Sequence, residues 1–405
     1  MDIDGRRRAA PGPAAPGPPE HDLDVQARVR RPSTLFPTAA GGYTVRDQWL
    51  DLLDVPQRPR PLFNLRRLLS LIKRTTDFFG HRRVWFNELL VRLNPYPHPF
   101  RRVRIESADG TVISAWLGLQ PVPRPGVVLV PGMFSSKDDT AIKGRAIRMW
   151  RRWNYNVLAI ELRGFGQSSG SPNTAGWKES EDVLAAARYL RSFNNVTRIG
   201  VIGESMGATA ALIAAANEGI EEGQALGETP REAGEGDAPA VDGPRAAHPH
   251  PRRAIDSVLA FSPFTYPDRA VAHINRMPQR RDPFYRVQRL FIRLLSLHTQ
   301  GRYRDFEEYM KGSAEQYGVS LDELYARSSV LDRVGHIKAH TLVVHAVDDP
   351  TVPVAHAEAL NARTRDMDHV VIWMLNWGDH VEFDILDRRW YWRVVSRFMG
   401  QWVGR

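Results

Sequence analysis

Gly203-Glu204-Ser205-Met206-Gly207 is the part of this chain whose chemistry reads most directly. An apolar run, Arg198-Ile-Gly-Val-Ile202, leads into it, and small helix formers from Ala208 to Ala216 lead away. G-x-S-x-G between a buried strand and a helix is the setting in which a serine stands exposed on a sharp turn. Gly203 and Gly207 lack side chains, so the backbone can reverse and pack closely there. Ser205 would face solvent at the positive end of the following helix. A serine hydroxyl is a poor nucleophile until a base takes its proton, so the motif requires partners elsewhere in the chain.

The elements that must position such a serine alternate along the sequence. Arg102–Glu106 and Thr111–Leu117 read as a hairpin closed by the turn Ser107-Ala-Asp-Gly110. Short, continuous apolar runs follow at Gly126–Val130, Asn156–Ile160, Arg198–Ile202, Ser257–Phe261, Thr341–His345 and Val370–Met374. Such runs suit strands covered on both faces. Helical patterns separate most of them, as at Thr140–Arg152 and Trp177–Phe193. Strand–helix alternation predicts an α/β fold with a mainly parallel sheet and helices on both faces. Asn217–Arg253 is rich in Gly, Glu, Ala and Pro and reads as a flexible insertion. Residues 266–338 are helical, with a capping box at Ser320-Leu-Asp-Glu323, and should cap the strand ends where ligands bind in open sheets.

This succession, with Gly203-Glu204-Ser205-Met206-Gly207 at its centre, resembles the α/β-hydrolase fold over roughly Arg102 to Val403. In that family the nucleophile, acid and histidine follow one another in chain order. The resemblance makes Asp349 the acid, because Asp349-Pro-Thr-Val-Pro353 follows the penultimate strand; Asp348 is the alternative. It makes His380, in Asn376-Trp-Gly-Asp-His380 after the last strand, the base. It also implies an oxyanion hole from the backbone N–H of Met206 and one from Pro131-Gly-Met-Phe134, with Met133 ahead of Phe134. Glu161-Leu-Arg-Gly-Phe-Gly-Gln-Ser168 is similar to a family loop whose arginine makes structural ion pairs. Arg327-Ser-Ser-Val through His345-Ala-Val-Asp-Asp-Pro350 is similar to the esterase and lipase-type branch that includes the YheT-like hydrolases.

The implied activity is hydrolysis of a carboxylic ester or lipid-like substrate through an acyl-enzyme. Thioester or amide hydrolysis and acyl transfer use the same residues. A serine rather than an aspartate at 205 argues against dehalogenase and epoxide hydrolase chemistry. A non-catalytic binding protein of this fold would have no need of all three residues.

Composition bounds the remainder. The 405-residue chain suits one large α/β domain with additions. It has no cysteine, which excludes disulfides and a cysteine nucleophile. No Asp or His pair has metal-ligand spacing beside a third candidate, so neither metal nor cofactor is expected. Residues 1–42 are rich in Pro, Gly, Ala and Arg and should be disordered. Residues 43–100 read as a basic helical extension that packs on the domain at 101–405 or touches a membrane surface. Residues 1–100 hold 16 Lys and Arg against 10 Asp and Glu, six of the nine net positive charges. No nucleic-acid motif accompanies that charge. No apolar run approaches the length of about 18 residues that spans a bilayer, and no signal-type core is present, so the expected location is cytoplasmic.

Overall fold

The computed structural model describes residues 95–133, 135–170, 173–225, 253–276 and 306–404. The expected tail over 1–42, the helical extension up to residue 94, residues 226–252 of the insertion and residues 277–305 of the cap lie outside them.

Eight strands form one sheet in the order β1-β2-β4-β3-β5-β6-β7-β8. They are β1 (Arg101–Glu106), β2 (Val112–Gly118), β3 (Arg124–Val130), β4 (Asn156–Ile160), β5 (Val196–Glu204), β6 (Ser257–Phe261), β7 (His340–Ala346) and β8 (Val370–Leu375). β1 and β2 make the expected antiparallel hairpin, β2 is antiparallel to β4, and every later pairing is parallel. Strand order reverses at β3, which lies between β4 and β5. The connections from β3 and β5 therefore leave on opposite sides, and a crevice opens outside their carboxyl ends.

Helices α1 (Thr140–Trp153), α2 (Trp177–Arg191) and α3 (Met206–Ala225) connect the first parallel strands. Alternate residues of each central strand serve opposite layers. Val128, Leu158, Val201, Val258 and Val343 pack with α2 and the alanine face of α3. Val127, Leu129, Ile202, Leu259 and Leu342 pack with Ile142 and Met149 of α1 and the aromatic face of a C-terminal helix. This two-sided burial is why the strands read as unbroken apolar runs rather than alternating ones.

After β6 come α4 (Pro267–Arg276), α5 (Phe306–Gln316) and α6 (Leu321–Arg327), the described part of the expected helical cap. Ser320 caps α6, its side chain accepting the Glu323 N–H at 3.1 Å. α7 (Ala355–Arg363) precedes β8, and α8 (Phe383–Leu386) and α9 (Arg388–Trp402) close the chain.

The expected insertion boundary at 217 needs correction. Helix α3 continues to Ala225 because Asn217–Ala225 contains mostly good helix formers, and Gly219 sits where a Cβ would collide with the His336 carbonyl. At the other end of the chain, residues 95–100 form a turn, with the Phe100 N–H bonded to the Pro97 carbonyl at 2.9 Å, rather than the end of a helix.

Candidate active site

β5 delivers Ser205 to the crevice on a backbone no ordinary residue adopts freely. Ser205 has φ +51°, in the left-handed region. Its N–H donates to the Phe261 carbonyl at the end of β6 (2.8 Å), and its carbonyl accepts from Ala208 and Thr209 (3.0 Å each). The neighbouring glycines are required by space. A Cβ at Gly203 would lie 2.5 Å from the Gly207 carbonyl oxygen, and one at Gly207 would collide with the carbonyls of Val130 and Pro131. The elbow is held by strand pairing on one side and by close approach to β3 on the other.

His380 arrives on the loop after β8. There Asp379 (φ +51°) and Val381 (φ +55°) are also left-handed, which fixes an unusual path for the loop. His380 Nε2 lies 2.9 Å from Ser205 Oγ. Its Nδ1 lies 2.9 and 3.1 Å from the two carboxylate oxygens of Asp349. Asp349 has a fully buried side chain, and its Oδ1 also accepts the N–H groups of Thr351 (2.9 Å) and Val352 (2.8 Å). Burial opposes its charge, but His380, then His345 and the Val352 N–H, outweigh burial and hold the carboxyl below its ordinary range. An ionised Asp349 can only accept, so the ring proton sits on Nδ1. Nε2 is left as an acceptor facing the Ser205 hydroxyl.

The carboxyl end of β3 leans on the elbow. A Cβ at Gly132 would come within 3.3 Å of Ser205 Cβ and of the Glu204 carbonyl oxygen. The following residues form a turn, with the Ser135 N–H bonded to the Gly132 carbonyl at 3.2 Å. Met206 opens α3, where first-turn N–H groups have no intrahelical partner, and it is fully buried. Met133 is half-buried, with its side chain against the main core. Gly132, one residue before Met133, thus lies against Ser205, and Met206 follows the serine directly in the chain. Phe134 lies outside the described residues.

A family model described as the alpha/beta hydrolase family matches residues 127–384, more than half of the chain. The chain belongs to the alpha/beta hydrolase family. No curated protein matches it by sequence. Among solved structures it is similar to the esterase Pf2001 of Pyrococcus furiosus in two crystal forms. One form is 21% identical, with a TM-score of 0.51 over 75% of this chain and 91% of that one. The other is 20% identical, with a TM-score of 0.50 over 75% and 93%. It is also similar to the alpha/beta hydrolase GrgF from Penicillium sp. sh18, at 16% identity and a TM-score of 0.47, over 76% of this chain and all of that one. At these identities the likeness to Pf2001 is one of fold.

This alpha/beta hydrolase anchors the Gly132–Met133 loop through a buried ion pair. Lys137 and Glu161, both wholly buried, meet at 2.7 Å, and Lys137 Nζ also donates to Asp138 (3.1 Å) and Gln167 (3.3 Å). Glu161 further accepts the Ser136 hydroxyl and, at 2.8 Å, the Gln167 N–H. The loop after β3 is thereby tied to the loop after β4. Arg163, in that second loop, pairs with Asp182 and Asp109 at 2.6 Å each, the structural role its motif implies. Burial works against the Arg163 charge, but these carboxylates outweigh it and raise its pKa.

Three further residues escaped sequence reading. Buried His345 lies 4.0 Å from Asp349, and its Nε2 donates to the Val352 carbonyl at 2.9 Å, bracing the loop that carries the acid. His273 of α4 donates from Nε2 to the Pro350 carbonyl at 2.9 Å, which joins the cap to that loop. Arg145 of α1 bonds Glu204, next to the serine. Nothing in the local pattern of any of the three separates it from an ordinary histidine or arginine. Among the described residues no group of three His, Asp or Glu could hold a metal ion. Among them, too, no helix is long and apolar enough to cross a membrane.

Proposed function

We propose that this alpha/beta hydrolase is a serine esterase with Ser205 as nucleophile, His380 as general base and acid, and Asp349 as the acid that orients the imidazole. The observation that carries the reading is the unbroken relay from Ser205 Oγ through His380 to Asp349, with both links at 2.9 Å. His380 Nε2 takes the Ser205 proton as Oγ attacks the ester carbonyl. The oxyanion that forms is met by the N–H groups of Met206 and Met133. The intermediate collapses to an acyl-serine, and His380 passes its proton to the departing alcohol. Water, deprotonated by the same Nε2, then attacks the acyl carbonyl, and the Ser205 oxygen leaves with the proton as the carboxylic acid is released. Asp349 keeps Nδ1 protonated and stabilises the imidazolium at each stage.

The ester bond is assigned from the esterase and lipase-type branch that the sequence resembles, and Pf2001, whose fold the chain shares, is itself named an esterase. No metal or cofactor enters the scheme.

A fluorophosphonate probe tests it, because the probe modifies only an activated serine. The full chain should be labelled at Ser205, and Ser205→Ala should not be labelled. A folded wild-type chain that resists the probe would sink the reading, and labelling of Ser205→Ala would show that the nucleophile is misassigned. Turnover of p-nitrophenyl esters of increasing acyl length would then define the substrate.

A further inference from the structure

One cation bridges the two halves of the relay. The Arg145 side chain is 6% exposed and holds two carboxylates at once: Nη1 meets Glu204 Oε1 at 2.5 Å, and Nη2 meets Asp384 Oδ2 at 2.8 Å. Glu204 is the last residue of β5 and precedes Ser205 directly. Asp384 belongs to α8, in the turn that leaves His380. That turn is stiff: the Glu382 N–H donates to the Gly378 carbonyl at 3.1 Å, and the Glu382 carbonyl accepts from Ile385 (3.0 Å) and Leu386 (2.9 Å). The centroid of the Tyr391 ring of α9 stands 5.1 Å from the guanidinium carbon.

Arg145 is itself attached to the third working part of the site. Its helix α1 starts immediately after the loop from β3, and Asp139 at that junction accepts the Ser136 N–H (3.0 Å) and the Ser135 hydroxyl. The arm bearing Ser205, the arm bearing His380 and the loop bearing Met133 therefore converge on one guanidinium. Only arginine offers two diverging N–H pairs in a rigid plane; an ammonium is a point charge that cannot fix two carboxylates at a set separation.

We infer that Arg145 is a positioning residue, a strut that sets the separation between Ser205 Oγ and His380 Nε2 by clamping Glu204 and Asp384. It touches neither substrate nor reacting atoms. This rests on the esterase reading above. Misplacing a nucleophile relative to its base is costly in rate even where binding is untouched.

The experiment uses the full chain with Glu204→Gln, Asp384→Asn, both together, and Arg145→Lys. Each is measured for kcat and KM on a p-nitrophenyl ester, for rate of fluorophosphonate labelling, and for thermal midpoint. Each amide variant should lower both kcat and labelling rate by about tenfold or more, with KM held within about twofold. The double variant should lose no more than the worse single, because both arms hang on one guanidinium and removing the charge at either end loosens the same link. Arg145→Lys keeps the positive charge but spans one carboxylate only, so it should match the singles and tests the same link should either amide fail to fold. Variants that melt earlier yet keep wild-type kcat and labelling rate would overturn the strut, as would losses that multiply in the double. A wild-type chain that is folded but unlabelled would overturn the esterase reading and the strut with it.

Discussion

Asp348 Oδ1 accepts the backbone N–H of Asp379 at 3.1 Å, one residue before His380. The two adjacent aspartates, which sequence offers as acid and alternative, thus hold different parts of one loop. Asp349 faces the imidazole ring, while Asp348 grips the backbone that carries it. Asp349→Asn should cut kcat by about 10⁴-fold, since an amide cannot fix the ring proton on Nδ1. Asp348→Asn retains an acceptor oxygen for the Asp379 N–H and should cost about tenfold or less. Steady-state kinetics on both variants decides; the reverse ranking would move the acid to Asp348.

The elbow allows no Cβ at its glycines. Gly203→Ala places a methyl against the Gly207 carbonyl, and Gly207→Ala drives one into the carbonyls of Val130 and Pro131. Backbone cannot yield as a flexible side chain would, so Ser205 must shift relative to His380. Each variant should lose at least about a hundredfold in probe-labelling rate. Wild-type labelling of either would mean that the backbone has more freedom here than the packing describes.

Lys137 and Glu161 form a buried pair, and removing the lysine leaves a buried carboxylate with no cation opposite it. Lys137→Met should destabilise the fold by about 3–5 kcal/mol. Adding Glu161→Gln removes the stranded carboxylate and should recover part of that stability. Activity should not recover, because the loop that carries Met133 stays untied. Denaturant melts and ester hydrolysis on the same samples separate the two effects. An equally unstable double variant would argue that packing, not charge, is at stake.

Acidification should destabilise the protein through His356 and His340. His356 Nδ1 accepts the N–H groups of Thr265 (3.1 Å) and Tyr266 (3.3 Å), a role only the neutral ring can fill. Burial, then His345 and Arg269, hold its pKa down to about 4. Burial, then His369 and Arg198, do the same for His340, also to about 4. Above the ordinary histidine value neither the folded nor the unfolded chain binds these protons, and stability is complete. As pH falls from there towards 4 the unfolded chain is protonated first, so stability is lost across that window and no further below it. For His356 the loss is on the order of 3 kcal/mol. His356→Gln should flatten the thermal midpoint profile between pH 7 and pH 4; an unchanged profile would remove His356 from the account.

The sheet was legible because its inner strands are buried on both faces, which writes them as apolar runs such as Val127–Val130 and Ser257–Phe261. The candidate residues Ser205, Asp349 and His380 stand out through their places after β5, β7 and β8 in a resemblance of chain order. What stayed hidden depends on distance across the fold. Arg145 is one of many arginines in basic stretches, and nothing in its neighbours says that it is buried between Glu204 and Asp384. Asp348 and Asp349 share a sequence context, and only the path of the loop gives them different partners. The edge at residue 217 differs because composition over Asn217–Arg253 does not show where the helix stops, whereas the missing side chain of Gly219 is what lets α3 pass the His336 carbonyl.

Ser205 sits at φ +51°, where glycine rests comfortably and a side chain does not. For any residue with a Cβ that conformation costs about 1–2 kcal/mol. Replacing Ser205 by glycine would relieve the strain and raise the melting temperature, while removing the oxygen proposed as the nucleophile. The fold's most comfortable choice at this position is its inert one. Sequences improved by selection for heat resistance alone would be expected to drift away from serine here, so a survey of stabilised variants should find the protein becoming tougher and silent in the same step.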